Sequence, residues 1–258
     1  MPGGRFKRAG LLVIALLGSS ALALEGYTRL PDTVVVPDLT LPPGTRELTL
    51  VFHGSGGSDE PLMQRIAAAH AAATGAPGFA VDWSSASDNR LRAAANARVV
   101  GAAVGRAVAE SASLRTLRLI GHSSGAYVLD AVCESARAAA AQPLVVRSVY
   151  LDPFGIAGFA DWTHGSRQHG RCADFALAVI NTDDAAPATN RPLQQAYNVD
   201  VTGDPRRPPP GETNLHYWPV TFYADAVASG ALSDDAAWSH QQLPRGRVVS
   251  SVSELRMK

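Results

Sequence analysis

The sequence predicts an α/β fold, a mostly parallel central sheet with helices on both faces. Three observations predict it. Short, mainly apolar runs recur along the chain at Leu48–Phe52, Leu114–Ile120, Val145–Leu151 and Phe175–Ile180. Such runs mark strands buried on both faces, as parallel strands are. Segments rich in Ala and Val, long enough for helices, lie between them, and this βα order favours a parallel sheet. Finally, Gly121-His122-Ser123-Ser124-Gly125-Ala126 joins one apolar run to one helical segment.

Residues 1–23 read as a secretory signal. Arg5, Lys7 and Arg8 form a basic start, Ala9–Leu17 a short apolar core, and Ala21-Leu22-Ala23 a small-x-small cleavage site. The expected product is secreted or periplasmic, with no stable membrane span after cleavage; tethering by an uncleaved N-terminus is the alternative. Residues 24–258 are then one domain, since no repeat and no long linker divides them.

Within that domain Thr33–Val36 is expected as an edge strand and Leu48–Phe52 as a central one. Glu60–Ala73 reads as a helix capped by Ser58 or Asp59, with Pro61 in its first turn. Phe79–Trp83 is the next strand. Ala93–Ser111 is a helix with Val100, Val104 and Val108 on one stripe, beside which Gly101 and Gly105 would let it approach the sheet. Leu114–Ile120 is a strand, Ser124–Ala141 a helix, and Val145–Leu151 and Phe175–Ile180 are strands. Trp218–Ser229 is a helix directly after His216. Asp204–Gly211, with four prolines, is a loop.

Charge excludes some partners. Lys plus Arg number 23 and Asp plus Glu 23, so no basic surplus points to nucleic acid. The two cysteines, Cys133 and Cys172, are either one disulfide or two buried thiols, and their spacing matches no metal motif. No cofactor and no metal are expected.

The chemistry centres on Gly121–Gly125. A Gly-x-Ser-x-Gly turn between strand and helix presents its Ser at the carboxyl end of a central strand, and the flanking glycines avoid collisions in a strained turn. Ser123 is therefore the candidate nucleophile. A Ser hydroxyl needs a base, and the base needs an acid to orient it. His216, late in the chain and just before a helix, is the candidate base, with His240 as its rival; His164 and His169 fall in Gly158–Arg171, which reads as a surface excursion. Asp152 ends one strand, and Asp183 and Asp184 follow the next. The spacing does not choose among these acids. His53-Gly54-Ser55-Gly56-Gly57, after the first central strand, has the composition of an oxyanion loop, with the N–H groups of Ser55 and Ser124 as donors.

Several segments together resemble the pancreatic lipase-like family of the α/β-hydrolase fold, which includes lipases and phospholipases A1. They are the strand and turn Leu117–Ala126, Val81-Asp82-Trp83, Asn96-Ala97-Arg98-Val99-Val100-Gly101, Leu151-Asp152-Pro153, Val179-Ile180-Asn181-Thr182-Asp183 and His216-Tyr217-Trp218. Asn181 stands where the family has a His. The resemblance implies a triad of Ser123, Asp152 and His216, an acyl-enzyme, and small-molecule or lipid esters as substrates. The wider fold places its acid one strand later, which keeps Asp183 as the alternative acid. Other acyl chemistry on the same triad, such as thioester or peptide cleavage or acyl transfer, is the alternative activity, and a non-catalytic binding domain the alternative class.

Overall fold

A computed structural model describes residues 3–57, 60–212, 214–232 and 238–250, with 3–13 described as backbone alone. An N-terminal helix, α1 (Gly3–Arg29), precedes β1 (Glu47–Phe52), α2 (Glu60–Thr74), β2 (Gly78–Val81), α3 (Ser84–Ser87), α4 (Ala93–Ala109), β3 (Thr116–His122) and α5 (Gly125–Ala139). Then follow β4 (Val145–Leu151), α6 (His164–Gln168), β5 (Phe175–Ile180), β6 (Tyr197–Asp200), a 3-10 turn at Leu215–Tyr217, α7 (Trp218–Ala228) and β7 (Val248–Val249). The expected caps Ser58 and Asp59 lie outside the described residues.

The strands form one seven-stranded sheet in the order β2-β1-β3-β4-β5-β6-β7, and every pairing in it is parallel. This is the α/β architecture the apolar runs predict. The period-2 alternation of each strand divides the core in two. Leu48, Leu50, Phe52, Leu117, Leu119 and Ala178 face a cluster with Val100, Val104 and Val128 of α4 and α5. Val51, Ile120, Val149, Leu177 and Val179 face the other, with Met63 and Ile66 of α2 and Val220 and Phe222 of α7. The chain leaves β1 for β2 on one side and returns to β3 on the other. The carboxyl ends of β1 and β3 therefore flank a switch point, where open sheets of this kind bind ligands.

Three expectations change. Thr33–Val36 is not a strand: residues 31–42 have no sheet pairing, and β2 is the edge. Pro31, Pro37, Pro42 and Pro43 remove N–H donors that a ladder would need. Gly101 and Gly105 serve a helix rather than the sheet. A Cβ on Gly101 would lie 2.5 Å from Val128 O, and one on Gly105 2.6 Å from Val132 O, so α4 packs backbone-close on α5. The segment Gly158–Arg171 is not wholly a surface excursion, because His169 is fully buried with Nδ1 2.6 Å from Asp130 Oδ2. The cysteines form a disulfide, Cys133–Cys172, that ties α5 to the chain before β5.

Candidate active site

The elbow between β3 and α5 holds Ser123 at φ +52°. A side chain in the left-handed region is costly unless its surroundings enforce it, and such residues gather at functional sites. Here the surroundings do enforce it. The Ser123 N–H donates to Leu151 O at 3.0 Å, and the N–H groups of Phe154 and Ala126 donate to Ser123 O at 3.0 and 3.1 Å. The glycines are required by approach distance: a Cβ on Gly121 would meet Gly125 O at 2.9 Å, and one on Gly125 would meet Phe52 O and His53 O at 2.9 Å.

Asp152 follows β4, also in the left-handed region at φ +43°. Its carboxylate is fully buried. Oδ1 accepts the Asn181 N–H at 2.9 Å, and Oδ2 lies 2.8 Å from Nδ1 of His216. His216 sits in the 3-10 turn before α7. Asn214 caps that turn, its Oδ1 accepting the His216 N–H at 3.1 Å, and His122 Nε2 donates to His216 O at 3.1 Å. The His122 and His216 rings are 4.5 Å apart. With Nδ1 directed at carboxylates, Nε2 is the ring nitrogen left for the cavity that His216 and Ser123 both line.

Of the two strand-end aspartates that the spacing left open after β5, the structure brings Asp184 into this group. Asp184 Oδ2 also lies 3.0 Å from His216 Nδ1 and accepts the Thr189 hydroxyl at 2.6 Å. The alternative acid Asp183 points elsewhere, its Oδ1 2.5 Å from Arg207 in a half-exposed ion pair. A strand-end rule good to one residue cannot tell adjacent aspartates apart, since the turn after β5 decides which one faces inward. His240, the rival base, is a structural group: its Nε2 accepts the Ala176 N–H at 3.1 Å, away from Ser123.

The charges in this group are set by burial and by each other. Burial pushes Asp152 up to about 7 against the bonds from His216 and the Asn181 amide. Burial also opposes ionisation of Asp184, but the bonds from His216 and Thr189 outweigh it and hold that carboxyl well below its usual range. For His216, burial would lower the pKa; the hydrogen bonds and charges of Asp152 and Asp184 win and raise it to about 9. The donor atoms of Asp152, Asp184 and His216 lie within 4.8 Å of one another, the spacing a cation would need, and are already hydrogen-bonded together.

The β1 loop is braced in detail. Trp83 N–H donates to His53 Nε2 at 3.0 Å, so His53 Nδ1–H is the donor to Gly54 O at 2.7 Å. Trp83 Nε1 donates to His53 O at 2.8 Å, and Gly56 N–H donates to Ser87 Oγ at 3.0 Å. The hydroxyls of Ser55 and Ser124 are 3.0 Å apart, so the two expected oxyanion donors belong to loops that are tied together. A Cβ on Gly54 would stand 3.1 Å from Ser123 Cβ, which shows how closely this loop passes over the elbow. The Val81-Asp82-Trp83 segment thus works as a brace for the loop. Asn96 braces further out, donating to Ala86 O at 2.7 Å and accepting the Asp32 N–H at 2.8 Å.

A cavity of about 310 Å³ opens over these groups, lined among others by Gly54, Ser55, Ser123, Phe154, His216 and Tyr217.

No family model matches the chain, and no curated protein matches it. Among solved structures, a Pyrobaculum calidifontis esterase in a monoclinic form aligns at 15% identity over 86% of this chain and 93% of its own, with a TM-score of 0.43. A Trichoderma reesei cutinase in complex with a C11Y4 phosphonate inhibitor aligns at 13% identity over 89% of each chain, with a TM-score of 0.35. At such values neither neighbour assigns a chemistry to this chain. The chemistry has to come from the atoms of the site.

Proposed function

We propose that the chain is a serine hydrolase acting on carboxylic esters. The observation that carries this reading is the buried Asp152–His216 hydrogen bond at 2.8 Å beside a cavity shared by His216 and the strained Ser123. In this reading His216 Nε2 takes the Ser123 proton as Oγ attacks the ester carbonyl. The N–H groups of Ser55 and Ser124 receive the developing oxyanion. His216 then protonates the departing alkoxide, leaving an acyl-enzyme, and next activates the water that hydrolyses it. Asp152 keeps the proton of neutral His216 on Nδ1 and stabilises the imidazolium. The position of Asp152 directly after β4, the strand following the elbow helix, fits the acid position of the pancreatic lipase-like family.

The substrate in this reading is a small-molecule or lipid ester, and the cavity volume favours short acyl chains. Export with cleavage after Ala23 belongs to the same proposal. Contacts between the N-terminal region and the sheet domain support it: Glu25 accepts the N–H of Phe159 at 2.6 Å and Tyr27 accepts from Asn89 at 3.1 Å, whereas Leu16, Leu17 and Leu22 are exposed. The Cys133–Cys172 bridge is in keeping with an oxidising compartment.

The test is labelling of the purified protein with a fluorophosphonate, with Ser123→Ala as control, followed by ester, thioester and peptide substrates. Wild type should label at Ser123 and hydrolyse esters. Ser123→Ala should fold, fail to label, and lose on the order of 10⁴–10⁶ in kcat. Labelling of the Ala variant at another serine defeats the reading.

A further inference from the structure

We propose that Asp184 is a second positioning acid for His216, so that the base is held between two carboxylates instead of one. The proposal rests on the Ser123–His216 reading above and adds a residue to it. Its basis is geometric. Asp184 Oδ2 is 3.0 Å from Nδ1 of His216, nearly the 2.8 Å of Asp152, and its side chain is only 4% exposed. The two acids come from the adjacent parallel strands β4 and β5, whose carboxyl ends both meet the turn that carries His216.

Asp184 is also anchored independently of Asp152. Thr189 donates to its Oδ2 at 2.6 Å, and its own N–H donates to Asn181 O at 3.2 Å. Asp152 is anchored by the Asn181 N–H. Each carboxylate therefore has an anchor besides the other acid and His216. Two adjacent carboxylates repel when both are ionised, and a shared proton relieves this. Full burial raises Asp152 and the Thr189 and His216 bonds lower Asp184. Asp184, the acid held low, thus adds negative charge beside the His216 ring to that of Asp152.

The consequence is a relaxed dependence on Asp152. In a triad with one acid, replacing that acid by Asn favours the wrong tautomer and costs about 10⁴ in kcat. Here Asp184 still accepts from Nδ1–H, so the correct tautomer survives.

The experiment uses Asp152→Asn, Asp184→Asn, the double variant and Thr189→Val. Folding is checked by circular dichroism. The readouts are the rate of fluorophosphonate labelling at Ser123 and kcat/KM on p-nitrophenyl butyrate, from about pH 6 to about pH 10. Each single Asn variant should lose about 10–10²-fold, and the double variant about 10⁴-fold or more. Asp184→Asn should also move the acid limb of the pH profile to lower pH, because one negative charge facing His216 is gone. The other groups around that ring, Asp152, His122 and Tyr217, with Arg90 across the cavity, are unchanged.

Asp184 is only a loop anchor if Asp152→Asn alone loses about 10⁴-fold while Asp184→Asn keeps the wild-type rate and pH limb. Should Asp184→Asn fail to fold, the activity of Asp152→Asn decides by itself: retention of about a hundredth or more upholds the proposal, and a loss of about 10⁴-fold overturns it. Thr189→Val, which loosens Asp184 but leaves its charge, should lower the rate without the full shift in pH limb; wild-type behaviour in rate would count against a positioning role. Labelling at a serine other than Ser123 would instead strike the underlying hydrolase reading.

Discussion

The N–H of Asn181 donates to Oδ1 of Asp152 at 2.9 Å, and this single bond turns Oδ2 toward His216. The Asn181 side chain extends the same function. Its Nδ2 donates to Leu215 O at 3.3 Å and its Oδ1 accepts the Thr202 hydroxyl at 3.1 Å. One buried residue therefore joins the end of β5 to Asp152, to the turn holding His216, and to the loop after β6.

Asn181→Ala keeps the backbone bond to Asp152 and removes the two side-chain bonds. Because the site is buried, the loss should cost about 1–3 kcal/mol of stability. The turn holding His216 would also lose an anchor, and small misplacements of a base are expensive in rate, up to about 10²-fold. Thermal unfolding and kcat on a short-chain ester check both. A stability loss with unchanged kcat would show that Asn181 supports the fold but not the base.

The pH dependence follows from the two acids on His216. In the proposed mechanism His216 must be neutral to accept a proton, and its pKa is raised to about 9. The kcat/KM profile should therefore rise with pH through a limb centred near 9. A limb near the ordinary His value of 6.5 would mean that the acids do not act on His216 in solution.

Stability should move the opposite way. His216 is raised above its ordinary 6.5, so its contribution is full below that pH and is lost as pH climbs through about 9. Asp152, raised from 3.8 to about 7, binds its proton more tightly in the folded state as well, and adds to the fall as pH rises through about 7. Asp184, lowered instead, loses its contribution only below its ordinary 3.8. Tm should accordingly be highest in mildly acidic buffer and decline toward pH 9, while activity increases. A Tm flat across that range would contradict the assignment.

The Cys133–Cys172 bridge spans a sequence separation of 39. Closing a loop of that size contributes about 3–4 kcal/mol by the chain-entropy account. The bridge joins α5 to the segment before β5, and neither cysteine lines the cavity that Ser123 and His216 share. Replacing both cysteines by Ser should lower Tm clearly and leave kcat/KM of the folded protein near wild type at low temperature. Loss of kcat in a folded variant would show that the elbow helix depends on the bridge.

The cavity of about 310 Å³ is at the small end for ligand sites. Along a p-nitrophenyl ester series, kcat/KM should peak at short acyl chains and fall for long ones. A steady rise to long chains would require an opening larger than the one described.

Much of the molecule was legible in the sequence, for reasons that are local. Val145–Leu151 and Phe175–Ile180 are strands with the expected bounds, because a run of buried β-formers between polar breaks has few alternatives. The turn around Ser123 was legible because a strand-to-helix elbow tolerates only small residues at Gly121 and Gly125. Short β6 and β7 were missed: four residues and two residues carry too little pattern, and their pairing is decided by the neighbours they dock on.

What the sequence alone determined, then, is the parallel α/β order, the strained serine turn, and the set of histidines and aspartates from which a site could be drawn. Tertiary structure decided which of them meet. It brought Asp184 and not Asp183 to His216, withdrew His240 to the Ala176 amide, and joined Cys133 to Cys172. The physical reason is that strand ends are encoded by local burial, whereas the direction of a side chain one residue past a strand depends on the turn's hydrogen bonds to distant segments. For Asp184 the distant bond comes from His216, and Thr189 in the loop that follows adds a second.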